Sequence, residues 1–257
     1  MKPEWSPTQY LKFEDHRTRP AADLLARVPG AGISSAVDIG CGPGNSTELL
    51  ANRFPGANIR GMDSSPQMID AARRRLPNVR FETGGIETWQ PSAPQDLLFA
   101  NAVLQWVPDH RKLFPQLLSC LADGGSLAVQ MPDNLDEPTH VGMRRAAQDA
   151  RWRARLAAAD NERTTIETAE TYHEILKPHC SRVDIWRTTY FHPLQKLEGI
   201  VDWFKSTGLL PYLSRLEEDE REAYLDIYRA QLAEHYVETR DGTVLLPFPR
   251  LFIVATR

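Results

Sequence analysis

Five short runs of strand-forming residues, at 36–39, 59–62, 79–81, 96–100 and 126–130, alternate with helical patterns at 46–53, 67–76 and 113–121. Strands spaced by helices in this way are the signature of βαβ units, in which each helix crosses back over a parallel sheet. A further helical pattern at 20–28 precedes the first run, and Pro66 stands where a first-turn proline is tolerated. The opening 130 residues therefore predict an α/β fold built on one doubly wound layer.

After Met131 the rhythm changes, because 139–159 is a long Ala/Arg-rich stretch of high helix propensity with no strand directly behind it. Helices are then expected at 166–176, 197–207 and 217–236, and late strands at 183–191 and 251–255. No internal repeat or low-complexity linker is visible. The expectation is one domain over 1–257, with a core sheet mainly in 30–132, 180–192 and 248–257. The helical insertions at 137–160 and 196–240 are expected to serve as lids.

Composition removes several function classes. With 42% hydrophobic and 25% charged residues in 257, the chain sits in the globular range, which excludes disorder and collagen. No stretch approaches the roughly 18 unbroken apolar residues of a membrane span, and the first 13 residues lack the apolar core of a secretory signal. The 30 Lys and Arg against 34 Asp and Glu leave a net charge of −4, without the broad positive field that nucleic acid demands. Cys41, Cys120 and Cys180 are widely spaced and form no C-x-x-C that could hold zinc, so no metal site is expected. They read as free thiols, and the chain is expected in the cytoplasm.

The richest local signal is Asp38-Ile39-Gly40-Cys41-Gly42-Pro43-Gly44, which follows the first run and opens a helix. Glycines there allow positive φ and close backbone approach to a ligand, at the carboxyl edge where such sheets bind. Nineteen positions after Gly44 comes Asp63, at the end of the second run, where a carboxylate can accept hydrogen bonds from both hydroxyls of a ribose. Loop and acid together imply a nucleoside ligand. A dinucleotide fingerprint needs G-x-G-x-x-G, but Gly44 falls one residue early and Asn45 occupies the third glycine's place, so a pyrophosphate cradle is disfavoured.

The pattern Asp38-x-Gly40-x-Gly42-x-Gly44, then Asp63, resembles the S-adenosylmethionine loop of the seven-stranded Rossmann-like methyltransferases. That resemblance implies a mostly parallel seven-stranded sheet with an antiparallel last strand, which suits the two late strands. It implies S-adenosyl-L-methionine as cofactor, with Asp38, Gly40, Cys41 and Gly42 by the methionine part and Asp63 and Ser64 by the ribose. Met68, Gly85 and Ile86 would lie near the adenine, and Asn101 at the fourth strand's end. Gly85 stands where the family often carries an acid for the adenine amino group; either Glu87 substitutes, or backbone or water does.

Further segments are more specific: Tyr10 to Phe13, Arg17 to Pro20, Phe99 to Trp106, Gln130 to Asn134, Glu137 to Val141, Asp184 to Tyr190 and Phe248 to Ala255. Along essentially the full chain they are similar to the trans-aconitate 2-methyltransferase family. That likeness implies methyl transfer from S-adenosylmethionine to a carboxylate of a small tricarboxylate, giving a monomethyl ester.

A carboxylate acceptor, with a pKa of about 4, is already ionised at neutral pH and needs no general base, so no catalytic residue of that kind is expected. Its non-reacting carboxylates must be paired, and arginine offers bidentate geometry. Arg187, Arg250 and His140 lie in the resembling segments, and Gln105 and Trp106 follow the fourth strand. A strong clamp on the reacting carboxylate would hold down its nucleophilic lone pairs, so neutral donors such as Tyr10 or Gln105 are expected there. Arg19 could serve cofactor or substrate. Alternatives stay open at this point: another small acid or a quinone-like acceptor, a nicotinamide-dependent oxidoreductase, or a cofactor-binding module without turnover. The oligomeric state is open, with a monomer possible.

Overall fold

The computed structural model describes residues 14–30, 32–159, 165–205 and 207–257. Its first element, helix α1 (Glu14–Arg27), leads into β1 (Ser35–Ile39), α2 (Asn45–Arg53), β2 (Asn58–Asp63), α3 (Pro66–Arg75) and β3 (Arg80–Thr83). Then follow β4 (Gln95–Asn101), α4 (His110–Ser119), β5 (Leu121–Pro132), α5 (Pro138–Ala147), α6 (Arg153–Leu156) and α7 (Ala169–Leu176). The chain closes with β6 (Arg182–Gln195), α8 (Lys196–Lys205), α9 (Leu210–Leu213), α10 (Glu218–Ala233) and β7 (Thr243–Thr256). No helix among the described residues is long and apolar enough to cross a membrane.

The strands form one seven-stranded sheet in the order β3-β2-β1-β4-β5-β7-β6. Pairs β1–β2, β1–β4, β2–β3 and β4–β5 are parallel, and β5–β7 is antiparallel. At one end of the β6–β7 pair Ser181 N–H donates to Thr256 O, and at the other Lys196 N–H donates to Gly242 O, so β7 opposes β6 as well. The order reverses between β1 and β4, which opens the crevice at the carboxyl ends where such sheets take ligands.

By contact the chain divides into two compact units. The sheet unit draws its described residues from Trp5–Pro132, Thr165–Thr188 and Arg250–Arg257. The helical unit draws on Asp133–Thr164 and Thr189–Pro249, which contain the segments read as insertions.

Within the sheet unit the pleat sends alternate residues to opposite faces, both of which bury apolar side chains. Val37, Ile39, Leu98, Ala100, Leu127, Val129, Met131, Leu251, Ile253 and Ala255 all enter one apolar core with Phe114, Leu117 and Tyr172. Even the polar groups on that face are satisfied. Tyr172 Oη lies 2.6 Å from His110 Nδ1, and His110 Nε2 lies 2.9 Å from Leu104 O. A carbonyl only accepts, so Nε2 carries the proton and Nδ1 receives the tyrosine's hydrogen. The alternate residues face the other way, and among them are Asp38, Asn101, Gln130 and Arg250.

In the helical unit, α5 packs on α10, with Tyr224 Oη donating to Met143 O at 2.9 Å. The stretch expected as one helix over 139–159 is broken. α5 ends at Ala147, and Asp149 Oδ1 accepts from the Arg151 N–H at 3.0 Å before α6 begins at Arg153. A short polar side chain that bonds the backbone two residues on competes with the helix ladder, and here it wins over Ala/Arg propensity. The last strand is longer than the expected 251–255. It begins at Thr243 and carries Pro247 and Pro249, whose missing N–H groups cost little because pairing to β5 starts only at Arg250.

Candidate active site

The site begins where β1 ends. Gly40, Gly42 and Gly44 all have positive φ, at 68°, 54° and 95°. A Cβ on Gly40 would collide with the Val103 side chain, so only glycine lets the loop pass there. Gly44 is the N-cap of α2, and its N–H returns to Cys41 O at 3.0 Å, while Cys41 N–H donates to Met62 O at 2.9 Å. The loop is thereby sewn to both β1 and β2. The Cys41 thiol is buried, and burial raises its pKa, so it is an inert filler.

Two carboxylates brace this loop in different ways. Asp63 accepts from Gly42 N–H at 2.9 Å and from Ser65 N–H at 2.8 Å, one on each oxygen. Burial raises its pKa, and the backbone N–H groups of Ser65, Gly42 and Ser64 oppose that rise. Asp38 is fully buried; its Oδ2 accepts from Ser46 Oγ at 2.7 Å and Thr47 Oγ1 at 2.6 Å, both in the first turn of α2. Its Oδ1 is buried with no partner. Desolvation dominates and pushes its pKa up to about 7.

Of the other cofactor candidates, Met68 is buried in α3, its N–H donating to Ser65 Oγ at 3.4 Å, and Ser64 is exposed. Ile86 is buried in the core at the start of the 3-10 turn Ile86–Thr88. Gly85 is exposed, and Glu87 Oε2 lies 2.9 Å from where a Gly85 Cβ would be. The Glu87 carboxylate thus turns back into the space that a side chain at 85 would fill. Arg19 is exposed on α1, one residue after Thr18, whose Oγ1 accepts from Asn45 Nδ2 at 3.4 Å beside the glycine loop.

Across the crevice the ends of β4 and β5 carry amides. Asn101 Oδ1 is buried without a partner. Ala102 follows it with φ 56°, its N–H donating to Gln130 O at 2.8 Å. Gln105, in the turn Leu104–Trp106, donates its Nε2 to Ala102 O at 2.7 Å and leaves its Oε1 buried and unpartnered. Trp106 is half-buried in the same turn. Arg250 is buried midway along β7, where its pairing to β5 begins, and one of its guanidinium nitrogens donates to Gln130 Oε1 at 3.1 Å.

Register puts these groups on one face. Asp38 pairs with Phe99, two before Asn101; Asn101 pairs with Gln130; Gln130 pairs with Phe252, two after Arg250. From β1 to β7 the face therefore reads Asp38, Asn101, Gln130, Arg250, acid at one end and base at the other. Buried polar atoms left unpartnered are costly, and this face gathers Asp38 Oδ1, Asn101 Oδ1 and Gln130 Nε2 among them.

The remaining candidates lie elsewhere. Arg187 is exposed on β6, the last strand of the order; hydrogen bonds from its own backbone N–H and from Thr168 hold the Glu170 carboxyl of α7 below its ordinary range, and the charge of Arg187 adds to them. Trp186 stacks on Phe252, which shares the face of Arg250, so by the alternation of the strand Arg187 leaves by the opposite face and the structure does not bring it to the amide cluster. His140 belongs to the helical unit, buried edge-on to Phe204 with ring centroids 5.1 Å apart. Tyr10 lies outside the described residues. Gln130 had no role assigned from the sequence, although it sits in a resembling segment. Its signal is a lone amide that ends a run of Ser126 and Ala128 on the same face of the strand.

Comparison with known proteins agrees with this geometry. Residues 36–125 match a family model described as a methyltransferase domain. The YcgJ protein of Bacillus subtilis superposes with a TM-score of 0.58 at 14% identity, over 93% of this chain and 98% of that one. The phosphoethanolamine N-methyltransferase 2 of Haemonchus contortus, in complex with S-adenosyl-L-methionine, gives 0.54 at 17% identity over 93% of this chain and 52% of that one. These distant likenesses carry the fold. Two curated relatives carry more: the trans-aconitate 2-methyltransferase of Methylobacterium nodulans is 56% identical over 99% of this chain and 98% of its own length. The enzyme of that name from Rhizobium meliloti is 51% identical over 98% of each. A glycine loop braced by Asp63 and full-length identity above half lead to one conclusion: the chain belongs to the trans-aconitate 2-methyltransferase family.

Proposed function

We propose that this chain binds S-adenosylmethionine at the glycine loop and esterifies a carboxylate of trans-aconitate to its monomethyl ester. The observation that carries the reading is the order of charge across one sheet face. Unpartnered acceptors, Asp38 Oδ1, Asn101 Oδ1 and Gln105 Oε1, lie toward β1 and β4, and donors on Gln130 and Arg250 lie toward β5 and β7. A cationic cofactor and an anionic acceptor fit that order.

Bound S-adenosylmethionine supplies an electrophilic methyl on a positively charged sulfur, and a carboxylate oxygen that takes it becomes an ester without any proton changing place. The chain's own residues bind and orient. Asp63, already holding Gly42 and Ser65, has a remaining lone pair on each oxygen for a ribose diol. Asp38 and Asn101 offer acceptors to an ammonium group. The Glu87 carboxylate takes the place of the acid missing at Gly85.

Asp38, at about 7, is a group whose titration would imitate a general base. Its free oxygen serves cofactor binding, so its titration belongs in cofactor affinity and not in the methyl-transfer step. Three buried thiols without disulfide support a reducing compartment, the cytoplasm, and a −4 chain supports a small-molecule acceptor rather than nucleic acid. The protein given methyl-labelled S-adenosylmethionine with di- and tricarboxylic acids, a phenol and a quinone precursor will label trans-aconitate selectively, in a product that mild base hydrolyses. Label on the phenol or the quinone precursor alone would overturn the reading.

A further inference from the structure

Of the two expected neutral donors for the reacting carboxylate, Tyr10 lies outside the described residues and Gln105 is committed elsewhere. Its Nε2 donates to Ala102 O, a carbonyl that can only accept, so the amide orientation is fixed and Oε1 is the atom left over. An acceptor oxygen repels a carboxylate. The neighbouring strand carries the complementary arrangement. Gln130 is completely buried, and its Oε1 accepts from the Arg250 guanidinium, which can only donate. That bond turns the amide so that Nε2 points away from Arg250, and Nε2 is buried with no partner.

Resting on the proposed carboxyl methylation, we propose that Gln130 is the residue that orients the methyl-accepting carboxylate. Its Nε2–H donates to the oxygen that does not attack, and Arg250 acts through it as a positioning residue. A neutral amide suits this task because it fixes direction without neutralising the nucleophile. A guanidinium in its place would bind the carboxylate as an ion pair and lower the reactivity of both oxygens. The same hydrogen bond places the guanidinium one strand beyond the amide, on the side away from β4 and Asn101.

Gln130→Leu keeps the volume and removes the donor. Because the donor orients the reacting group, the expected result is a fall in kcat of about tenfold or more, with the KM for trans-aconitate and the cofactor affinity changed by less than about threefold. Gln130→Glu gives a second readout that a purely structural residue would not move. As a carboxylate beside Arg250 it repels the acceptor, and when protonated it again offers a donor. Its kcat, relative to wild type, is expected to climb as the pH is lowered.

A change confined to KM would place Gln130 on a non-reacting carboxylate and overturn the inference. So would unchanged kinetics in a folded Gln130→Leu protein, or a flat relative pH profile for Gln130→Glu, which also decides the matter should the leucine variant not fold. Failure of the function reading is distinct: the wild-type protein would then label no carboxylic acid at all.

Discussion

The two sides of the crevice are built on opposite principles. On the β1–β2 side the polar groups are largely spent within the protein: Asp63 on two backbone N–H groups, one oxygen of Asp38 on two hydroxyls, the loop's own N–H groups on Cys41 and Met62 carbonyls. On the β4–β5 side Gln105 and Gln130 are amides buried with one end tied and the other free, and Asn101 leaves its Oδ1 buried without a partner. The first side is a rigid seat whose shape is set by backbone, and the second is a set of pointed side chains that keep polar atoms unspent within the protein. Rigidity there and unsatisfied polarity here are both forms of preorganisation, and they fail differently when altered.

The largest effect is expected on the rigid side. Gly40→Ala forces a side chain at φ 68° into Val103, which costs on the order of 3 kcal/mol and moves the loop. Calorimetric titration is expected to show no cofactor binding, and thermal melting a lowered Tm. A variant that binds normally would mean that the seat is soft and the comparison false.

The intermediate effect concerns pH. Asp38 rises on folding from its ordinary value near 3.8 to about 7, so between those values the folded chain holds more protons than the unfolded one. Stability therefore falls as pH rises from about 4 to about 7, and the penalty is complete above that window. In Asp38→Asn this fall is removed, so the variant's Tm, relative to wild type, is expected to be higher at pH 8 than at pH 5. Cofactor affinity in wild type is expected to improve over the same window as the carboxylate ionises, and in the variant to stay level. A parallel pH course for both proteins would detach Asp38 from the seat.

The smallest effect sharpens the other side. Arg187 is exposed on β6 and contributes charge to Glu170, so Arg187→Gln is expected to change kcat and KM for trans-aconitate by no more than about twofold. A larger loss would extend the acceptor region to the last strand.

The same contrast explains what could be read from the chain alone. The seat is local in sequence: glycines two apart, an acid nineteen on, each demanded by backbone geometry, and the alternation of strand and helix fixes their place at the carboxyl edge. The amide side is assembled from residues 101, 105, 130 and 250, ordinary types far apart, whose meaning arises only when register lines them up. Charge matching picked both Arg187 and Arg250, because a sequence does not say which face of a strand an arginine leaves or how far its strand lies from the crevice. Likewise 139–159 carried helix propensity throughout, and a single Asp149 side chain bonding Arg151 was enough to divide it. Prolines 247 and 249 hid the first half of β7, since their tolerance depends on where the neighbouring strand stops.

The pleat has a consequence for descent. Along β1, β4, β5 and β7 one face is apolar throughout its core, whereas on the other the few polar groups stand among buried Leu97, Phe99, Phe252 and Val254. New acceptors can be tried by exchanging those few polar side chains while the apolar residues of both faces are left as they are. Proteins that share as little as 14% of this chain's residues still superpose on its sheet, as such a division of labour allows. Chemistry here is a replaceable facing on a conserved wall.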